Sequence, residues 1–170
     1  MFEAALLTFV GAAAIAGAAY DVATLTIPNW ISLTLMALFP VLALAAGLSL
    51  SDAGVHLAIG AGALMVGIAL FAGGIVGGGD AKLFAALALY MGLQSIGPYV
   101  FAVALAGGVL AVALILLRTP AARIFLSRLP WTQKLTSPGL GVPYGVAIAA
   151  GGLFAFPATQ LFALASVARF

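Results

Sequence analysis

The sequence predicts an all-α, polytopic membrane helix bundle with about six transmembrane helices, and three observations carry that reading. Hydrophobic residues make up 65% of the 170 positions and charged residues 6%, where soluble domains carry roughly 25% charged. Mean hydropathy is +1.30. The apolar residues are also gathered into runs of roughly 20, the length a helix needs to cross about 30 Å of hydrocarbon. A chain of this length has room for one domain, spanning 1–170.

The first run, Phe2 to Tyr20, ends at Asp21 and the segment Thr26-Ile27-Pro28-Asn29. It carries Glu3 where a signal peptide would carry positive charge, so it reads as an uncleaved span. The second run, Trp30 to Leu50, follows a chain break at Pro28 and Asn29, where proline pre-sets φ for a helix start. Ser51 and Asp52 then suit the caps of a third helix, Gly54 to Val76. Gly77-Gly78-Gly79-Asp80 introduces a short fourth run, from Ala81 to about Gln94, whose start extends into the glycines. The fifth is Tyr99 to Leu117, and the sixth runs from about Val142 to Val167 with a kink expected at Pro157. Gly60-Ala61-Gly62 and Gly107-Gly108 read as surfaces for close helix packing.

One loop of any size separates the last two runs, residues 118–141. It interleaves Arg118, Arg123, Arg128 and Lys134 with Ile124, Phe125, Leu126, Leu129 and Trp131, a pattern that suits a basic segment at the headgroups. Six spans put the Asp21 loop, the Asp80 loop and this basic loop on one side, together with Lys82; Arg169 alone is on the other. Positive charge marks the cytoplasm. Both chain ends are therefore expected outside, with Asp21 and Asp80 at the cytoplasmic face of a bacterial inner membrane.

Composition also excludes functions. The net charge is +2, and six cations are too few for a phosphate track, so no nucleic-acid partner is expected. With no cysteine and a single histidine, His56 on the outer side, neither a thiol nucleophile nor a metal site is expected, and no cofactor.

Chemistry is left to four acids: Glu3, Asp21, Asp52 and Asp80. Glu3 and Asp52 have sufficient structural readings at the outer face. Asp21 and Asp80 each adjoin a long apolar run on the same face, where an ionisable group is costly and usually marks function; a helix-end acid solvated by cytoplasmic water fits the same position. Gly77, Gly78 and Gly79 allow positive φ and close approach, leaving an extended substrate room beside the Asp80 carboxylate. Two carboxylates a few ångströms apart cannot both ionise easily, so they share a proton. One then takes a proton from water while the other donates to a scissile carbonyl. Lys82, two residues after Asp80, points away from it on a helix and suits a snorkel to lipid headgroups.

Gly77-Gly78-Gly79-Asp80-Ala81-Lys82-Leu83 resembles the GxGDxKL motif of type IV prepilin peptidases, and Asp21 followed six residues later by Ile27-Pro28-Asn29 resembles their other signature. Pro143-Tyr144-Gly145 is similar to the family in a less specific way. The resemblance implies an aspartyl endopeptidase with Asp21 and Asp80 as its catalytic pair, cutting prepilin leaders at the cytoplasmic membrane face. It implies that Gly77, Gly78, Gly79, Pro28, Asn29 and Lys82 border the substrate, with a prepilin, the lipid bilayer and pilus assembly machinery as partners. The long members carry a cysteine-rich domain and methylate the new N-terminus. This cysteine-free chain looks like the short form of Tad/Flp-type systems, so methylation is not expected. The alternative reading is a small proton- or ion-coupled transporter relaying through the aspartates. Such proteins place charge near the midplane and show internal repeats, neither of which is visible here.

Overall fold

The computed structural model describes residues 2–120 and 141–167, and among them every regular element is a helix. α1 covers Phe2–Thr24, α2 Asn29–Ala45, α3 Leu50–Ala72 and α4 Gly78–Leu117. α5, Tyr144–Ala155, passes through a 3-10 turn at Phe156–Ala158 into α6, Gln160–Val167. The bend between α5 and α6 is 50°; it falls at Thr159 (ψ 150), two residues past Pro157. Residues 121–140, which hold most of the basic 118–141 loop, and Arg169 lie outside the described residues.

Two helix ends differ from expectation for one reason. α2 stops at Ala45 rather than Leu50, and α3 at Ala72 rather than Val76, because each closes in a Schellman motif. Gly47 (φ 79) and Gly74 (φ 70) take the left-handed position. Leu48 N–H then bonds Ala43 O, and Ile75 N–H bonds Leu70 O, both at 2.9 Å. The cap of α3 is Ser49, not Ser51 or Asp52: its hydroxyl accepts from Asp52 N–H at 3.1 Å and donates to Asp52 Oδ2 at 2.8 Å. The hydroxyl thus satisfies one orphan N–H of the first turn and is itself held by the Asp52 carboxylate.

The fourth and fifth expected spans are two helical arms that meet without a loop at Gly92 (φ 63, ψ −176), and α4 denotes both. A straight helix of 40 residues would reach about 60 Å, twice the hydrocarbon core. Instead Tyr99 Oη donates to Phe84 O at 3.3 Å, and the two rings stack 4.9 Å apart. Those residues would be about 22 Å apart along a straight axis, so the two arms of α4 lie side by side.

Contacts fix the directions of the rest. Gly60 meets Leu89 and Gly67 meets Ala81, so α3 runs antiparallel to the first arm. Gly107 meets Tyr144, Gly151 meets Val103, and Ser95 Oγ donates to Ala158 O, so α5 runs antiparallel to the second. α1 opposes α5 through Gly11 with Leu153 and Asp21 with Gly145. Of the glycine pairs expected to pack, Gly60 and Gly107 do, whereas a Cβ at Gly62 or Gly108 would meet nothing within 4 Å. The first arm of α4 is the centre, buried on every side from Ala85 to Gly92, as an all-round apolar helix must be. Tyr90 within it satisfies its hydroxyl on Leu35 O at 2.8 Å.

Large apolar side chains cover the outside of the bundle, among them Val41, Leu44, Met65, Val109 and Ile115. Such a surface fits lipid, not water. Three helices are long and apolar enough to cross a membrane, and a fourth if the bent α5–α6 pair is one span. The protein is thus a multi-pass membrane protein. α2, with 17 residues, is at the short end of the spanning range of roughly 17–25, and α4 contributes two arms rather than one rod.

Candidate active site

Asp21 is delivered by the amphipathic register of α1. Leu6, Val10, Ala14, Gly17 and Asp21 follow one another at intervals of three and four, and all are buried. The acid is therefore the last member of the inward stripe and not a solvated helix end: it is 4% exposed. Its Oδ2 accepts the backbone N–H of Gly145, at the start of α5, at 2.6 Å.

Asp80 stands in the first turn of α4, where a carboxylate is favoured by the helix N-terminus. It is half-buried, bonds the Gly77 N–H, and feels the charge of Asp21 as a neighbour. Its other oxygen, Oδ1, is buried without a hydrogen-bond partner. Leaving such an acceptor unpaired costs about 1–3 kcal/mol.

Ile27 joins the two acids into one site. A Cβ on Gly145 would stand 2.9 Å from Asp21 Oδ2 and 3.0 Å from Ile27 Cδ1, and a Cβ on Gly79 would stand 3.1 Å from Ile27 Cβ. The glycines before Asp80 therefore serve close approach rather than left-handed backbone. Gly77 is extended (φ −71, ψ 146), and the positive φ of this loop falls at Gly74. Leu25, between Asp21 and Ile27, is the one non-glycine residue with positive φ among the described residues, at 54.

Asp80 opens into a cavity of about 560 Å3 between α3, the two arms of α4 and α5. Phe84, Tyr144 and Ile148 line it, with Gly62, Val66 and Val100 on the sides of α3 and α4. Asp80 is the one acid in its wall. Val66 and Val100 are 59% and 47% exposed, so the cavity faces the bilayer.

Lys82 is turned elsewhere, as i and i+2 on a helix must be. Its Nζ donates to Asn29 Oδ1 at 2.9 Å, and both residues line a second cavity between α2, α3 and α4. Pro28 is the N-cap of α2 (φ −61, ψ 135). Asp52 is at the opposite end of α3, where Oδ2 also accepts Gln160 Nε2 at 3.1 Å. His56 is buried at that end too, its Nδ1 2.7 Å from Leu89 O. No three His, Asp or Glu side chains gather as metal ligands among the described residues.

Sequence reasoning missed Gly145 and Tyr144 as site residues. The Pro143-Tyr144-Gly145 segment was the available signal, but only the packing of α5 on α1 shows that its backbone holds a carboxylate. A family model described as the type IV leader peptidase family matches residues 8–112, which include both acids. No curated protein and no solved structure matches the chain.

Proposed function

The chain belongs to the type IV leader peptidase family, and from that premise we propose that it is an aspartyl endopeptidase in which Asp21 and Asp80 together activate water to cut the leader from a prepilin of the Flp/Tad type. The observation that carries this reading is the pair itself. Two acids from different helices share one site, each holding a backbone N–H, with Asp80 Oδ1 unpartnered beside a bilayer-facing cavity.

In this mechanism the pair shares one proton. The ionised carboxylate takes a proton from water as the oxygen attacks the scissile carbonyl carbon. The protonated carboxyl donates to the carbonyl oxygen, giving a neutral tetrahedral intermediate. Its collapse breaks the C–N bond: the protonated carboxyl gives its proton to the leaving amine while the other carboxylate takes one from a hydroxyl of the intermediate, so the pair again holds one proton. The apolar part of the substrate lies in the Phe84–Tyr144 cavity, and its scissile strand passes over Gly77, Gly78, Gly79 and Pro28. Absence of side chains on the glycines lets a peptide backbone come close.

The site faces the cytoplasm of a bacterial inner membrane in this reading. Lys82 and Arg118 are at the acid-bearing end, and Arg123, Arg128 and Lys134 follow in sequence before α5, the asymmetry that orients membrane proteins.

The test is an Asp→Asn series. Asn keeps size and hydrogen bonding but cannot cycle a proton. Asp21→Asn and Asp80→Asn should each abolish leader cleavage of a co-expressed prepilin while membrane insertion is unchanged, and the double variant should be no worse than either. Asp52→Asn should cleave normally. Substantial cleavage by either single active-site variant ends the aspartyl reading. Retained cleavage with loss of a proton flux would favour a transporter.

A further inference from the structure

A second cavity, of about 580 Å3, is on the other side of the first arm of α4 from Asp80's. Its body is apolar: Leu33 and Met36 from α2, Leu64, Ile68 and Phe71 from α3. Leu33, Ile68 and Phe71 are 62%, 55% and 56% exposed, so the cavity opens sideways to the bilayer rather than to water.

Its end nearest the acid-bearing face is polar in a particular way. Lys82 and Asn29 close it, with the ammonium held on Asn29 Oδ1. Ser32, also in the wall, is 2% exposed and its Oγ has no hydrogen-bond partner. Gly78, the first residue of α4, completes the rim. A hydroxyl donor and an ammonium thus line the same cavity, and both favour negative oxygen. An apolar trough with one end suited to an anion matches an amphiphile with an anionic head. Basic pockets between transmembrane helices take such headgroups.

We propose that this cavity binds an anionic phospholipid, its phosphate between Lys82 and Ser32 and an acyl chain along Leu33, Met36, Leu64, Ile68 and Phe71. Lys82 is then a lipid ligand rather than a contact to the scissile strand, which accords with its pointing away from Asp80. The bound chain fills the space between α2 and α3 and braces the helix that carries the acid. Neither the phosphate site nor the trough needs the proteolytic reading to hold.

The probe is phosphatidylglycerol against phosphatidylcholine, added to full-length protein in neutral detergent. Two readouts apply: lipid retained in native mass spectrometry and the rise in Tm, since a ligand of the folded state stabilises it by mass action. The wild type should retain phosphatidylglycerol over phosphatidylcholine and gain Tm with it alone. Lys82→Gln should lower that preference about fivefold, the worth of one basic residue at an anionic surface, and Lys82→Arg should keep most of it. Ser32→Ala should raise Tm without lipid, by removing an unpartnered buried hydroxyl, yet lower the gain on adding phosphatidylglycerol. Asp80→Asn should bind lipid as the wild type does, so failure of the catalytic reading leaves this result separate. Equal retention of the two lipids, or an undiminished preference in Lys82→Gln, overturns the proposal. So does a Lys82→Gln variant with intact lipid binding but a raised KM for an acidic peptide, which would assign Lys82 to substrate.

Discussion

Replacing Gly145 by alanine tests the site through backbone geometry, without touching either acid. The new methyl would stand 2.9 Å from both Cβ and Oδ2 of Asp21 and 3.0 Å from Ile27 Cδ1. Ordinary carbon contacts begin at 3.4 Å, so Asp21 has to retreat by roughly half an ångström to one ångström. That retreat stretches the 2.6 Å bond from Gly145 N–H, and a hydrogen bond to a charged group is worth about 1.5–3 kcal/mol. Misplacing a reacting group by about 1 Å costs on the order of 10²-fold. The two estimates agree on a fall of about 10- to 100-fold in cleavage rate. Alanine is the better helix former by about 1 kcal/mol, so the fold itself should tolerate it. The assay is the initial rate of leader removal in proteoliposomes, with Asp21→Asn as the floor. Gly108→Ala is the control, because nothing is within 4 Å of its Cβ. A wild-type rate in Gly145→Ala would show that the Gly145–Asp21 bond does not position the reacting carboxylate.

Other outcomes follow from the same structure. Leu25→Gly should raise unfolding free energy by about 1 kcal/mol, since a left-handed non-glycine residue costs about 1–2, and thermal unfolding in detergent reads this; a lower Tm would mean that the side chain of Leu25 matters more than its backbone. A single cysteine at Ser127 in this cysteine-free chain should be inaccessible to a membrane-impermeant thiol reagent in intact cells, and labelling from outside would sink the proposed orientation. Purified protein given a prepilin and S-adenosylmethionine should yield a cleaved, unmethylated product by mass spectrometry; a mass gain of one methyl group would refute this.

What the sequence determined by itself was set by local physics. Apolar runs of spanning length mark a helical membrane protein because lipid supplies no partners to backbone polar groups. Asp21 was legible as an acid adjoining an apolar run, but only the burial of Leu6, Val10, Ala14 and Gly17 with it shows that it is inside α1 and faces inward. The break at Pro28 and the end of regular α-helix just before Pro157 follow from proline's missing N–H. Other features were decided only by tertiary structure, because they depend on residues far apart in the chain. A reversal between the fourth and fifth runs was legible, but its place was not: Gly92 reads as one more small residue in an apolar run, yet the chain turns back there and brings Phe84 against Tyr99. Gly145 is 124 positions from the carboxylate it holds, and no local pattern encodes that meeting. Lys82 and Asp80 are neighbours in sequence and belong to different cavities. The helix turn separates them, and the packing of α2, α3 and α5 around α4 decides what each one faces.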